Sequence, residues 1–218
     1  MEDKDIDRVV EILERESQWW NSPTGTKSTD TSHDPFKVLI SCILSFRTKD
    51  ELTHQAARRL FNIAESVQKM LKLSSSQIQR LIYPVGFYRN KAQVIKKVCQ
   101  VLVNKYQGRV PSSLDELLSL PGVGRKTANL VLTLGFGRPG ICVDTHVHRI
   151  TNRWGYLCTK SPKQTESILR KKLPLKFWIR FNPLLVRFGQ NICRPISPLC
   201  SRCPIKDFCQ KVKVTRKR

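Results

Sequence analysis

The sequence predicts an all-α fold. Apolar residues recur with the period of an amphipathic helix in successive segments, and no segment keeps the strict alternation that is typical of a half-buried strand. Several of these segments follow Ser, Asp or Asn, which are preferred at helix N-caps. The 218 residues are enough for one large or two small domains.

The predicted helices follow one another with short polar connections. The first covers residues 4–20, and a polar linker, NSPTGTKSTDTSHD, separates it from an almost wholly apolar segment at 36–46 that predicts a buried helix. Further amphipathic segments lie at 50–62, 66–72, 76–83, 90–106 and 112–119. Two more helices are predicted, one carrying Lys126 and one beginning at Thr145.

Proline and glycine mark two seams between domains. The first lies in the linker at Pro23 and Gly25, and the second lies between Gly135 and Gly140. We therefore expect a helical domain at 28–138. A second, discontinuous domain would combine residues 1–27 with residues 139–218.

The chain is strongly basic. Its 39 Lys and Arg against 17 Asp and Glu give a net charge of +22, spread along the sequence. Nucleic acid is the favoured partner for such a surplus, with an anionic membrane, or charge that serves solubility alone, as alternatives. No run of 18 apolar residues occurs and the N-terminus is charged, so we expect a soluble, intracellular protein without a membrane span.

A glycine turn lies between two helical segments in LPGVGRKT, where Gly122 and Gly124 flank Val123. Glycine allows a close approach of the backbone to a partner, and the N–H groups of a following helix are a site for a phosphate oxygen. This turn, with Arg125 after it, predicts a grip on a nucleic-acid backbone that is independent of base sequence. Tight packing of two helices is the alternative explanation.

Lys126 would lie in the first turn of the helix after this glycine turn. An ammonium group there faces the unfavourable end of the helix dipole, which favours the neutral amine. A neutral lysine is a nucleophile that can form a Schiff base with a carbonyl carbon. A solvated or phosphate-contacting lysine is the alternative.

Asp144 lies at the junction before the helix that begins at Thr145. There it can act as an N-cap that accepts hydrogen bonds from the first backbone N–H groups. A carboxylate beside bound DNA can also stabilise positive charge on a sugar or activate a nucleophile.

Four of the eight cysteines form a cluster near the C-terminus. Cys193, Cys200, Cys203 and Cys209 have the spacing C-x6-C-x2-C-x5-C. In a reducing compartment this pattern predicts a metal site, and four thiolates suit either zinc or an iron–sulfur cluster. The other four, Cys42, Cys99, Cys142 and Cys158, are expected to be small buried apolar residues.

Taken together, these motifs resemble the endonuclease III family of DNA glycosylases over roughly residues 30–210. LPGVGRKTANLVL resembles the family's helix-hairpin-helix, here at about 112–135, and VDTHVHR resembles its Asp-bearing loop. DPFKVLISCILSFRTKD resembles its first buried helix with the following loop, and GFYRNKAQVI resembles its DNA-probing loop. The cysteine spacing resembles its [4Fe-4S] loop, here at 193–209.

The resemblance implies a two-domain helical protein with a DNA-binding cleft between the domains and a [4Fe-4S] cluster. It implies a bifunctional glycosylase that flips an oxidised pyrimidine out of double-stranded DNA. Lys126 would attack C1′, expel the base and form the Schiff base through which β-elimination cuts the strand. Asp144 would assist loss of the base, and the cluster would order a loop that presents Arg194, Arg202 and Lys206 to phosphates.

Two positions depart from the family pattern. Arg47 stands where the family often has a glutamine that fills the hole left by the flipped base, and Phe87 stands at a wedge position that is frequently leucine. Phe87 can unstack a base step and Arg47 can hydrogen-bond the orphaned base, notably guanine. The alternatives are that Phe87 packs in the core and that Arg47 binds a phosphate.

Two other functions stay open on the sequence. One is a monofunctional adenine- or thymine-mismatch glycosylase of the same superfamily, against which Lys126 argues, and the other is a non-catalytic DNA-binding module. We expect a monomer located with the DNA, in the nucleoid and cytoplasm or, in a eukaryote, in the nucleus or an organelle. The basic tail from Lys211 is expected to be disordered and to add non-specific DNA affinity.

Overall fold

The computed structural model describes residues 1–20 and 33–218, and within these ranges it contains helices and no strand. The α-helices are α1 (Ile6–Ser17), α2 (Pro35–Ser45), α3 (Asp50–Ile63), α4 (Val67–Lys72), α5 (Ser75–Ile82), α6 (Tyr88–Tyr106), α7 (Leu114–Leu118), α8 (Arg125–Leu130), α9 (Thr145–Arg153), α10 (Pro162–Lys172) and α11 (Trp178–Asn191). Short 3-10 turns occur at Asp3–Asp5, Leu175–Phe177 and Cys200–Arg202, and a π-helical turn, Val131–Gly135, continues α8. The all-α prediction is confirmed.

Helices α1 to α7 differ from their predicted bounds by at most three residues at either end. Helices α10 and α11 were not predicted. The predicted polar linker lies almost entirely outside the described residues, as does the seam predicted at Pro23 and Gly25.

The chain divides into two compact units, one formed by Thr24–Gly140 and the other by Met1–Pro23 with Ile141–Arg218. We call them the continuous unit and the discontinuous unit. The centre of the continuous unit is α2, whose Leu39, Ile40 and Leu44 are fully buried. Helix α2 packs against α3, α6 and α8, so the apolar segment at 36–46 is a buried helix.

The discontinuous unit has a core of large aromatic side chains. Trp154, Phe177, Phe181 and Phe188 are each about 1% exposed, and Trp154 contacts the rings of Phe181 and Phe188. Helix α1 packs on α11, and α11 also packs on α9. This core therefore joins segments from both ends of the sequence.

The basic tail is ordered against the cysteine loop, contrary to the expectation of disorder. Arg218 N donates to Pro198 O and Arg218 O accepts from Ser201 N, both at 2.9 Å. Val212 N donates to Arg153 O at 3.0 Å. Backbone pairing of this kind does not depend on side-chain composition, which is why the charged sequence does not indicate it.

None of the helices in the described ranges combines the length and the apolar character that a crossing of the bilayer requires.

Candidate active site and metal centre

The glycine turn joins α7 to α8 as a helical hairpin in the continuous unit. Gly122 has φ of +75°, in the left-handed region that glycine adopts without strain. A Cβ atom at this position would lie 2.8 Å from Val94 Cγ1 of α6, so the turn also packs closely. Both the backbone conformation and the close packing therefore require glycine at position 122, while the grip on a phosphate stays a prediction.

Gly124 is the N-cap of α8 and has no side chain to occupy the first N–H groups of that helix. A Cβ atom added at Gly124 would meet nothing within 4 Å, so the space in front of the helix is open. Val123 differs from its neighbours, because its side chain is 7% exposed in the core and its N–H donates to Leu120 O. Val123 therefore anchors the turn, and Gly122, Gly124 and Arg125 surround it.

Lys126 is exposed in the first turn of α8, as the sequence predicts. The sulfur of Cys42, on the neighbouring α2, lies close enough to feel the charge of Lys126. Burial raises the pKa of the Cys42 thiol to about 12 and outweighs the opposing effect of Lys126. Cys42 consequently stays a neutral thiol, and Lys126 remains the predicted nucleophile at this position.

Asp144 is the N-cap of α9 in the discontinuous unit. Its Oδ1 accepts hydrogen bonds from His146 N at 2.8 Å and from Val147 N at 2.9 Å. The capping function is confirmed. Both bonds end on Oδ1, so the second carboxylate oxygen is not used by the cap.

Two arginines of α9 connect the helix to the cysteine loop. Arg153 donates from Nη1 to Cys193 Sγ at 3.6 Å and to Arg194 O at 2.6 Å, and from Nη2 to Pro195 O at 2.6 Å. Arg149 donates from Nη2 to Cys193 O at 2.8 Å. Burial lowers the pKa of Arg149, and the charge of Asp144 acts in the opposite direction. The helix capped by Asp144 is therefore tied to the start of the cysteine loop.

All four clustered cysteines line one small cavity, together with Trp154 and Phe188. They are free thiols, and burial raises the pKa of Cys203 to about 12. Two sulfurs already receive N–H···S hydrogen bonds, Cys193 from Arg153 and Cys209 from Lys211 N at 3.4 Å. Such bonds to cysteine sulfur tune iron–sulfur clusters in proteins.

The surroundings of these sulfurs fit an iron–sulfur cluster, one of the two metal centres that the sequence leaves open. Across residues 1–20 and 33–218, no group of three or more His, Cys, Asp or Glu side chains is placed to hold a metal ion. A shared cavity with N–H donors to sulfur fits a cluster held by Cys193, Cys200, Cys203 and Cys209.

The remaining cysteines are not all buried. Cys99 and Cys142 are buried and Cys42 is partly so, but Cys158 is exposed, which corrects the expectation for that residue. Arg194 and Arg202 are both exposed on the cysteine loop, as presentation to phosphates requires.

Phe87 and Arg47 lie together at the surface of the continuous unit. Phe87 is 59% exposed, so it does not pack in the core. The guanidinium carbon of Arg47 lies 5.7 Å from the centre of the Phe87 ring. The structure thus brings together the two positions at which the sequence departs from the family pattern.

The comparisons with known proteins agree on one class. Residues 40–175 match the HhH-GPD superfamily of base excision DNA repair proteins, and residues 193–209 match the iron-sulfur binding domain of endonuclease III. Endonuclease III of Thermotoga maritima is 50% identical over 81% of this chain and 83% of its own length. Endonuclease III homolog 1, chloroplastic, of Arabidopsis thaliana is 46% identical over 80% of this chain, which spans 48% of that longer protein.

A solved structure of a trapped endonuclease III–DNA covalent intermediate, an estranged-adenine complex, has a TM-score of 0.84 at 32% identity, with 97% of each chain covered. The chain belongs to the endonuclease III family of the HhH-GPD superfamily. The predicted class of enzyme, a DNA glycosylase and abasic-site lyase, and the predicted [4Fe-4S] cluster are confirmed by these matches.

Sequence reasoning missed the arginines of α9 and also a buried lysine, Lys91, beneath the Arg47 loop. Arg149 and Arg153 are spaced by four residues, so they lie on one face of α9, and this spacing is the one signal that the sequence offered. Lys91 gave no such signal.

Proposed function

We propose that this chain is a bifunctional DNA glycosylase that removes oxidised pyrimidines of the thymine glycol type and then cuts the strand by β-elimination. The observation that carries the proposal is Lys126, an exposed amine in the first turn of α8 directly after the open glycine turn. The C1′ carbon of the damaged nucleotide is shielded in the stacked duplex, so this nucleotide has to be extruded. A damaged base costs less to unstack than an intact one.

Lys126 supplies the nucleophile. Its neutral Nζ attacks C1′, the glycosidic C1′–N bond breaks, and the base leaves with the bonding electrons and takes up a proton. Opening of the sugar gives a Schiff base between Nζ and C1′. Loss of a proton from C2′ then expels the 3′ phosphate by β-elimination, and water hydrolyses the Schiff base to release the enzyme.

Asp144 supplies a carboxylate whose position is fixed by its cap on α9. Its charge would stabilise the positive charge that develops on the sugar as the base leaves, or it would accept the proton that Lys126 must lose. The two hydrogen bonds to Oδ1 hold the group in one orientation and leave the other oxygen for this task.

Both units contribute to DNA binding in this proposal. In the continuous unit, Gly122, Val123, Gly124 and Arg125 form the turn that would hold a phosphate, while Arg47 and Phe87 would probe the bases. In the discontinuous unit, the cysteine loop would present Arg194 and Arg202 to phosphates. The cluster, held by the four cysteines, would supply a covalent cross-link that gives the loop its fixed shape.

The duplex is therefore the proposed partner, bound by one copy of the chain. The site of action is wherever that DNA resides, which is the nucleoid in a bacterium and the nucleus or an organelle in a eukaryote.

Borohydride trapping tests the proposal. A duplex with thymine glycol is incubated with wild type and with Lys126→Gln, and borohydride is added to reduce any Schiff base. Wild type should give a covalent protein–DNA adduct and a cut strand, and Lys126→Gln should give neither.

Three other outcomes would favour a different function or a different nucleophile. Release of the base without any adduct would replace the proposal with a monofunctional glycosylase, which is then assayed on adenine and thymine mismatches. Binding of DNA with no excision on any lesion would replace it with a DNA-binding module. An adduct that still forms with Lys126→Gln would show that another lysine is the nucleophile. Each other exposed lysine would then be replaced in turn to find it.

A further inference from the structure

The surface that carries Arg47 and Phe87 also includes Phe46. The Phe46 side chain is 65% exposed, and the guanidinium carbon of Arg47 lies 5.5 Å from its ring centre and 5.7 Å from that of Phe87. A guanidinium between two aromatic rings gains cation–π stabilisation from each. We call Phe46, Arg47 and Phe87 the probe cluster.

The backbone of the probe cluster is held in an unfavourable conformation. Arg47 has φ of +50° and Phe87 has φ of +57°, in the left-handed region that non-glycine residues rarely adopt. Such strain persists only where surrounding contacts determine it. Something in the structure must therefore fix both segments.

Lys91, on α6 one turn after Phe87, supplies that support. Its side chain is buried, at 5% exposure, and Nζ donates to Leu44 O and Phe46 O at 2.6 Å each and to Thr48 Oγ1 at 2.9 Å. The three hydrogens of the ammonium are thus all used by the segment that contains Arg47. Lys91 N also donates to Phe87 O at 3.0 Å, so one residue contacts both halves of the probe cluster.

Gly86 brings the two segments into direct backbone contact. A Cβ atom at Gly86 would lie 2.8 Å from Arg47 O, which is too close for any other residue unless the loop moves. The position of Arg47 is therefore determined by the hydrogen bonds of Lys91 to the surrounding segment and by the close backbone contact with Gly86.

We propose that Lys91 is a positioning residue that fixes Arg47 so that its guanidinium reads the base opposite the damaged nucleotide. The inference rests on the proposed function, in which that base is left without a partner. A guanidinium makes paired hydrogen bonds to the O6 and N7 acceptors of guanine, and such a pair discriminates only when its direction is fixed. Opposite-base preference is accordingly set by Lys91 as well as by Arg47.

Lys96 offers a matched control on the same helix. Its Nζ donates to Leu71 O at 2.6 Å and Leu73 O at 2.8 Å, at the end of α4. Lys91 and Lys96 thus bind main-chain carbonyls in the same way, but Lys96 does so away from the probe cluster. A loss that follows from structural loosening alone would appear in both variants.

The experiment measures equilibrium binding to duplexes that carry a stable tetrahydrofuran abasic analogue opposite A, C, G or T, so that no chemistry is required. Wild type, Lys91→Met, Lys96→Met, Arg47→Ala and the double variant Arg47→Ala/Lys91→Met are compared. The ratio of the tightest to the weakest affinity reports selectivity. Trapping of each protein on a single-stranded abasic site, which has no opposite base, tests the proposed function separately.

Lys91→Met should reduce the selectivity ratio about tenfold, to the value of Arg47→Ala, because one fixed paired contact to a base gives discrimination of about that size. The double variant should show no further loss, and Lys96→Met should keep the ratio of wild type. Trapping on single strands should be the same in Lys96→Met as in wild type.

A wild-type ratio in Lys91→Met, an equal fall in Lys96→Met, or a wild type without any opposite-base preference would overturn the inference. Should Lys91→Met fail to fold, Gly86→Ala replaces it and has to lower the ratio through the same contact with Arg47. Failure of wild type to trap would overturn the proposed function and leave the binding ratios to decide the inference.

Discussion

Replacement of Asp144 separates its two tasks. The cap consists of two hydrogen bonds from backbone N–H groups to Oδ1, at 2.8 and 2.9 Å. Asparagine presents an oxygen in the same place, so Asp144→Asn should keep the cap and lose only the charge. Asp144→Ala should lose both.

The two hydrogen bonds and the charge of Asp144 set the expected loss of stability in each variant. Loss of an N-cap costs about 1 kcal/mol, and loss of the negative charge at a helix N-terminus costs about 0.3–1 kcal/mol. For a chain of this length, 1 kcal/mol shifts the melting temperature by about 2–4 °C. We therefore expect Asp144→Ala to melt a few degrees below wild type and Asp144→Asn to lie between the two.

Excision should follow the charge and not the cap. Both variants should release thymine glycol about 100- to 10,000-fold more slowly than wild type in single turnover, since this is the contribution typical of a positioned acid or base. Trapping on a preformed abasic site then divides the two proposed duties. It stays fast if Asp144 stabilises charge during loss of the base, and it slows if Asp144 takes the proton from Lys126.

Asp34 is the matched control, because its Oδ1 caps α2 through Phe36 N at 2.9 Å and Lys37 N at 3.1 Å. Asp34→Ala should melt a few degrees lower and excise at the wild-type rate when folded. Equal melting of Asp144→Asn and Asp144→Ala would refute the argument on capping. A wild-type rate of excision in Asp144→Asn would remove this carboxylate from the chemistry.

Three further predictions concern stability and the cluster. Burial lowers the pKa of Lys91 from 10.5 to about 8, so the unfolded chain takes up this proton first, and the stability of wild type falls as the pH falls from 10.5 to about 8 and then levels off. The urea midpoint of wild type minus that of Lys91→Met should therefore grow from about pH 7.5 to about pH 9.5, and a constant difference would contradict this. Arg153→Met removes three hydrogen bonds to the cysteine loop, so the visible absorbance of the cluster should decay faster in air, whereas Arg15→Met, on an exposed side chain, should leave the decay unchanged. Gly122→Ala forces a side chain into φ of +75° against Val94 and should cost about 1–2 kcal/mol in urea unfolding, while Gly124→Ala, with open space around it, should cost less.

Local patterns in the sequence were enough for much of this fold. Helices α3 to α7 have apolar residues on one face, and α2, α4, α5 and α7 begin at Asp or Ser caps, so the bounds of these helices could be predicted closely. Helix α10 was not predicted because two of its three buried residues, Thr165 and Glu166, are polar. Helix α11 contains Pro183, which ordinarily indicates the end of a helix.

The residues of the candidate site also fall into two groups, those that lie in local motifs and those whose contacts are distant in the sequence. Lys126, Asp144 and the four cysteines lie within short motifs, so they could be proposed from the sequence once the resemblance to the family supplied their roles. Lys91 contacts residues 45 and 47 positions away, and Arg153 contacts a cysteine 40 positions away. Pairings at this separation are created by packing, and a single sequence carries no local sign of them.

The division into a continuous and a discontinuous unit has a consequence for synthesis on the ribosome. The residues Thr24–Gly140 emerge in one stretch, so this unit can bury its core while the chain is still growing. Helix α1 emerges before this stretch, whereas the helix on which it packs, α11, emerges after it. The apolar face of α1 therefore remains exposed to chaperones and to other nascent chains until α11 has been synthesised.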